Sequence, residues 1–344
     1  MEKTNIAWTD STHNSWEGCT KTGSPGCDGC YAEVRNQRFH AGQHWGAGAP
    51  RLVRSDSYWN EPLKWEKNHE QFFAQNGHRQ RVFCSSLADV FDNEAPEGQR
   101  DRLWALIRVT PHLDWQILTK RIGNAKRMLP EDWGNGYPNV WIGASIVNQE
   151  EADRDIPKLI KIHAAKRFLS MEPLLGHVDL TAHLPDANAE THTMAYITHV
   201  YGGIDWVIVG GESGANARPM HPEWARSIRD QCKARHIHFF FKQWGEWIPT
   251  NVVPGGDLGG DMRRGKVVIV KPFGENDGHF RKDDQLMRKV GKEKAGSLLD
   301  GKEHKDFPRE VAVVCPKCDL GGGPCYHEYN KMIDLPILQQ GETY

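Results

Sequence analysis

Six short apolar runs recur along the chain, at residues 81–86, 114–119, 139–145, 166–171, 205–210 and 237–241, with stretches long enough for helices between them. Within each run the apolar residues are continuous rather than alternating, as in strands buried on both faces. Residues 97–109, 149–164 and 222–235 read as intervening helices, and an earlier strand is expected near residues 13–17. A βα rhythm of this kind specifies a parallel sheet or barrel. The expected fold class is therefore α/β, a partial (β/α) barrel related to the TIM barrel, with about six to seven parallel strands.

Each run finishes in polar residues able to do chemistry. Asp89 follows the first, Thr119, Lys120 and Arg121 end the second, and Ser145 ends the third. Glu172 follows the fourth, Gly210, Gly211 and Glu212 the fifth, and Lys242 and Gln243 the sixth. In a β/α barrel the site forms at the C-terminal ends of the strands, so these positions are expected to share one cleft. Loops after strands are polar in any case, but that explains less well the acids and lysines placed directly at the ends. Gly211 and its neighbours read either as a loop allowing close backbone approach to a ligand or as a tight turn whose acid, Glu212, caps the next helix. Ser145 and Glu172 are candidate cofactor contacts or structural strand-end hydrogen bonds. Lys120 and Lys242 would line the cleft and meet an anionic group.

Three cysteines, Cys19, Cys27 and Cys30, fall within twelve residues, spaced C-x7-C-x2-C. Gly18, Gly23, Pro25 and Gly26 let the chain wrap and bring Cys19 back towards the other two. Three thiolates are one short of a closed four-ligand shell. A [4Fe–4S] cluster so held has one iron open to substrate or cofactor. Zinc would need a fourth ligand, such as His13 or His40. Three unrelated buried cysteines are the remaining reading. Cys84 and Cys232 stand alone and are expected to be buried as small hydrophobes.

The composition is that of a soluble globular chain, with 344 residues, 38% hydrophobic residues and a net charge of −2. No stretch approaches the roughly 20 apolar residues that span a bilayer. The N-terminus has no apolar signal core. A cytoplasmic location is expected, where clustered cysteines hold metal rather than disulfides. Global charge gives no hint of nucleic-acid binding. Thirteen tryptophans suit a core and a cleft, and some of them would stack on a planar substrate.

The run from Asn14 to Cys19, with Cys27-Asp28-Gly29-Cys30-Tyr31, resembles the cluster loop of radical S-adenosylmethionine enzymes, especially the branch with spore photoproduct lyase-like proteins. The chain as a whole is similar to the phage-associated three-Cys-motif family. The matching segments lie at residues 4–10, 118–121, 169–174, 210–214, 217–220, 240–244 and 299–308. The first cysteine gap is seven residues, where most radical S-adenosylmethionine enzymes have three. The resemblance implies a [4Fe–4S] cluster on Cys19, Cys27 and Cys30 and S-adenosylmethionine held near Ser145, Glu172, Gly210, Gly211 and Glu212. It also implies reductive cleavage to a 5′-deoxyadenosyl radical, a flavodoxin- or ferredoxin-like electron donor, and a nucleic acid or nucleotide substrate to be modified or repaired. Two other readings stay open. One is a zinc-binding nucleic-acid or protein interaction module without catalysis; the other is a barrel that keeps the cluster without the chemistry.

Residues 1–250 would form the barrel and 251–310, Gly- and charge-rich, a hairpin-like elaboration with a short helix near residues 292–299. Residues 311–344 would form a small extension. There Cys315, Cys318, Cys325 and His327 read as a tetrahedral zinc site or an auxiliary iron–sulfur site.

Overall fold

The computed structural model describes residues 4–184, 203–252, 257–273 and 281–308. The chain divides into two units, Met1–Phe307 and Pro308–Tyr344. Beyond Pro308 the second unit, with Cys315, Cys318, Cys325 and His327, lies outside the described residues.

The first unit is built on seven parallel strands curled into a half-barrel. They are β1 (Ser11–His13), β4 (Gln80–Cys84), β5 (Leu113–Thr119), β6 (Val140–Ser145), β7 (Lys166–Met171), β8 (Trp206–Gly210) and β9 (His238–Gln243), adjacent in that order. Two short strands, β2 (Trp16–Glu17) and β3 (Leu52–Val53), pair antiparallel apart from this sheet. The expected single strand over residues 13–17 is thus two strands in two sheets. Asn14 makes the break: its side-chain oxygen accepts the Leu87 N–H at 2.7 Å, and its own N–H donates to the Tyr58 hydroxyl at 2.9 Å. Both bonds turn the chain out of the ladder.

The outer face of the sheet packs on helices. Val82, Ile117, Ile142, Leu169, Val207 and Phe241 join one core with Trp104 and Ile107 of α5 (Gln99–Arg108), Ile156 and Leu159 of α7 (Gln149–Leu159), and Ile228 and Cys232 of α8 (Pro222–Ala234). α7 starts where the Asn148 side chain accepts the Glu151 N–H at 2.9 Å, while Glu151 takes the Val147 N–H at 3.0 Å. It ends at Leu159 rather than at the expected residue 164. Past that point the Ile162 carbonyl is taken by the buried Arg167 guanidinium at 2.7 Å, which turns the chain into β7.

The inner face carries a separate cluster. Phe83, Trp141, Phe168, Trp206, Ile208 and Phe240 point inward, and Trp8 packs on them from the N-terminal segment. Phe307 packs at a tilt against Trp206, with ring centroids 5.1 Å apart, and lies under the Arg81 guanidinium at 3.8 Å. Residues 304–306 run along the free edge of β9, where the Phe241 N–H donates to His304 O and the Asp306 N–H to Phe239 O. This covers an otherwise open strand edge.

The elaboration begins earlier than residue 251. β10 (Trp247–Pro249), β11 (Val267–Val270) and β12 (Gln285–Lys289) form a three-stranded antiparallel sheet in the order β10-β12-β11. A one-turn helix, Lys292–Ala295, follows within the expected residues 292–299. No helix among the described residues is long and apolar enough to cross a membrane.

Candidate functional site

Side chains along a strand alternate between faces. On β6 the inner positions are Trp141, Gly143 and Ser145, and on β7 Phe168 and Ser170, with Glu172 just beyond the strand. On β8 they are Trp206, Ile208 and Gly210, and on β9 Phe240 and Lys242. Aromatic rings therefore floor the half-barrel, and Ser145, Glu172, Gly210 and Lys242 stand at its C-terminal mouth. The floor is tightly fitted: a Cβ on Gly143 would stand 2.5 Å from the Phe168 ring.

The cysteine loop lies across this mouth. It leaves β2 at Gly18, whose φ of +115° and close approach to the His44 carbonyl oxygen, 2.2 Å from a would-be Cβ, exclude any side chain. Ser24 then caps a 3-10 turn, Pro25–Cys27, by accepting the Gly26 N–H at 3.1 Å, and Cys30 precedes α1 (Tyr31–His40). A seven-residue gap is thus filled by a loop and a turn. The turn sits on the strand ends: a Cβ on Gly26 would stand 2.8 Å from Val147 and 3.4 Å from Lys120 Cε.

Cys19 faces β5, where Arg121 donates to its sulfur at 3.3 Å and also to the Thr20 carbonyl. Burial pushes the Cys19 thiol up to about 11, and the Arg121 guanidinium opposes that rise. Arg121 is held by Asp89 at 3.2 Å. Asp89 also accepts the Thr119 hydroxyl at 2.7 Å and the Lys120 N–H at 3.1 Å, so its role is to fix the end of β5. Lys120 Nζ donates to Ser145 Oγ at 3.4 Å and has no carboxylate within ion-pair distance among the described residues. Cys84 and Cys232 are fully buried, and burial pushes both thiols up to about 12, as inert core groups.

After β8, Gly211 passes so close to Trp244 that a Cβ would lie 1.9 Å from its carbonyl oxygen. Glu212 is buried, and a Cβ on Gly29 would meet its Oε1 at 2.6 Å, so this carboxylate lies against the turn between Cys27 and Cys30. Arg218 takes both its oxygens, through Nε at 2.8 Å and Nη2 at 2.6 Å, and also donates to the Pro25 carbonyl at 2.8 Å and to Asp28 at 3.3 Å. Glu212 therefore does not cap the following helix; His221 does, accepting the Glu223 N–H at 3.1 Å. Glu172 pairs with Lys242 at 3.2 Å and overhangs Gly210, whose would-be Cβ stands 2.4 Å from the carboxylate. Gln243 is turned to Ser213 at 3.0 Å.

The fold thus brings Lys120 and Glu212 to the cysteine loop, places Ser145 beside Lys120 and Gly211 beside Trp244, and pairs Glu172 with Lys242 at the strand ends. His13 and His40 belong elsewhere. His13 lies among Tyr58, Trp59 and Trp115, and His40 faces Glu17 and His44. Two residues that matter to the loop were not singled out from sequence. Arg218 is one. The other is Arg51, whose fully buried guanidinium binds Thr20 Oγ at 2.7 Å, Asp92 at 2.9 Å and Glu94 at 2.6 Å. A lone arginine far along the chain carries no local signal of either role.

Three cysteine sulfurs on one loop are a donor set that both iron–sulfur groups and zinc use, and a [4Fe–4S] cluster would take one thiolate at each of three irons. Among the described residues, no set of three ligand atoms lying within 4.8 Å of one another includes these cysteines, so the loop would close further around a single ion. Arg121 supplies positive charge beside the Cys19 sulfur, and the Lys120 stem lies against Gly26 of the loop.

No curated protein and no solved structure matches the chain. A family model covers residues 3–308, and by that match the chain belongs to the family described as "Protein of unknown function (DUF5131)".

Proposed function

We propose that this chain is a radical S-adenosylmethionine-type iron–sulfur enzyme acting on a nucleic acid or nucleotide substrate. The observation that carries the reading is the cysteine loop, seated on the ends of β5 and β6 and against Glu212 beyond β8 at the mouth of a parallel half-barrel. When bound, a [4Fe–4S] cluster would supply the electron that cleaves S-adenosylmethionine reductively to methionine and a hydrogen-abstracting 5′-deoxyadenosyl radical, replenished by a flavodoxin- or ferredoxin-like donor.

Cys19, Cys27 and Cys30 would hold the cluster, with Arg121 donating to the Cys19 sulfur. Glu212 is engaged by Arg218 and so positions the loop. Ser145 and Glu172 remain the strand-end groups able to accept from the methionyl ammonium or the ribose, and Gly210 and Gly211 let the backbone approach. Lys120, without a carboxylate partner among the described residues, favours an anionic group such as a nucleotide phosphate. The aromatic floor closes the half-barrel below and keeps water from the mouth on that side.

The test is anaerobic purification with iron and sulfide analysis, then addition of dithionite and S-adenosylmethionine and detection of 5′-deoxyadenosine. About four irons per chain, lost in Cys27→Ala, with 5′-deoxyadenosine formed by the parent, is the expected result. Zinc alone at the three cysteines would refute the reading and favour a non-catalytic interaction module. Oligonucleotides and free nucleotides, scored for stimulated 5′-deoxyadenosine release, test the substrate class.

A further inference from the structure

At the opposite end of β5 lies a second group of metal-ligating side chains, unrelated to the cysteines. Glu66, His69 and His112 each offer one ligand atom, and the three atoms lie within 4.8 Å of one another. Glu66 belongs to α3 (Glu61–Lys67), His69 opens α4 (His69–Asn76), and His112 directly precedes β5. The seven residues of β5 separate His112 from the cysteine-loop end by about 20 Å.

The local bonds define which atoms are presented. Glu66 Oε2 accepts the His112 backbone N–H at 3.1 Å, and Oε1 faces His112 Nδ1. His69 Nδ1 engages the Glu66 backbone carbonyl at 2.8 Å, which fixes the ring and leaves Nε2 as its ligating atom. The two imidazoles stack with centroids 3.8 Å apart and planes within 12°. The backbone at His112 is held in turn by Arg79, which donates to the His112 carbonyl at 3.3 Å and pairs with Asp114 at 3.3 Å. A carboxylate–imidazole pair needs one ring. The second ring, anchored through the carbonyl of the same glutamate, adds nothing to that pair and completes a set of two nitrogens and one oxygen.

We propose that Glu66, His69 and His112 form a zinc site, with water in the fourth position, that ties the α3–α4 junction to the N-terminal rim of the half-barrel. Two imidazoles and a carboxylate are a complement that zinc takes readily. Zinc takes the position between Glu66 Oε1 and His112 Nδ1, and the Nδ1 proton passes to Nε2 or to solvent. Ligand distances of about 2.0–2.1 Å set the three donor atoms roughly 3.3 Å apart, so Glu66 Oε1 and His112 Nδ1, now 2.5 Å apart, open by about 0.8 Å while the rings fan out and His69 closes on the ion by up to about 1.5 Å. All three side chains are only half-buried, and His69 is the first residue of its helix, which leaves room for that adjustment.

The experiment uses the full-length protein, stripped with chelator and then equilibrated with zinc chloride. The parent is compared with His69→Gln, His112→Gln and Glu66→Gln for bound zinc after gel filtration and for thermal midpoint. Each variant is expected to hold one zinc equivalent fewer than the parent and to lose part of the zinc-induced rise in midpoint. Equal zinc content in parent and His69→Gln overturns the site. His69→Gln is the deciding variant if His112→Gln does not fold, and circular dichroism checks its folding. With cobalt in place of zinc, the parent-minus-variant spectrum is expected to show weak d–d bands alone. A thiolate charge-transfer band in that difference assigns the lost metal to cysteine and overturns the proposal. None of these readouts depends on the iron–sulfur reading.

Discussion

Mild acid is expected to weaken this fold through His13, and by an amount that follows from its surroundings. The His13 ring is fully buried at the end of β1, stacked on Tyr58 at 5.1 Å and edge-on to Trp59 and Trp115, and among the described residues neither ring nitrogen has a hydrogen-bond partner. Burial, with the fields of Arg102 and Arg54 behind it, lowers its pKa from 6.5 to about 3. The unfolded chain binds a proton here below pH 6.5, whereas the folded chain does so only near pH 3. Stability from the neutral ring is therefore fully present above pH 6.5 and is lost as the pH falls from there towards 3. Between pH 7 and pH 5 the loss is about 2 kcal/mol, or roughly 4–8 °C in thermal midpoint. Other groups titrate too, so the measurement is a double difference. Urea unfolding of the parent and of His13→Leu, each at pH 7 and pH 5, cancels every contribution except that of the ring. The parent is expected to lose about 2 kcal/mol more than the variant over that interval. Equal losses, within about 0.5 kcal/mol, would refute the argument, because they would mean that the folded state protonates the ring as easily as the unfolded chain does.

Arg218→Ala removes the two charge-assisted bonds to Glu212 and the bond to Pro25. Because Arg218 is partly exposed and its own backbone N–H still reaches Glu212 at 2.7 Å, the loss is set at the low end for a broken buried pair, about 2–3 kcal/mol by denaturant titration. With the proposed cluster in place, iron retention is expected to fall as well, and a variant with parental stability would show that the clamp contributes nothing. Gly211→Ala drives a methyl group into the Trp244 carbonyl, backbone against backbone, so side-chain rotation gives no relief. We expect a loss of about 3 kcal/mol or more, read as a lowered thermal midpoint or insolubility, and an unchanged midpoint would contradict the close approach. Gly143→Ala meets the Phe168 ring, which can shift, so a smaller loss of about 1–3 kcal/mol is expected from the same melts.

What the sequence made legible was whatever depends on neighbours along the chain. Strands covered on both faces must be apolar throughout, so β4 to β9 announce themselves as continuous runs, and glycine and proline around Cys19, Cys27 and Cys30 announce a loop with a tight turn. The same continuity hides which face of each strand is inward, because both faces are apolar. That register matters here: on β6 it separates Trp141 in the floor from Ser145 at the mouth, four residues on along one column. It emerges only when the strand ends are read backwards by twos from their polar residues, which also assigns Glu172 and Lys242 to the mouth and Trp206 and Phe240 to the floor. Features set by distant partners left no local trace. Asn14 ends β1 through Leu87, and Arg51 reaches Asp92. Arg218 reaches Pro25, and its hold on Glu212 changes the meaning of a glycine–glycine–acid run. Read alone, that run either presents a carboxylate to a ligand or caps the next helix; with Arg218 it becomes a brace that holds the cysteine loop against the end of β8. The polar rim is therefore of two kinds. Asp89 and Glu212 are held by structural arginines and fix the loop, while Lys120, Ser145, Glu172 and Lys242 remain at the mouth, and it is in this second set that substitutions should separate the proposed activity from folding.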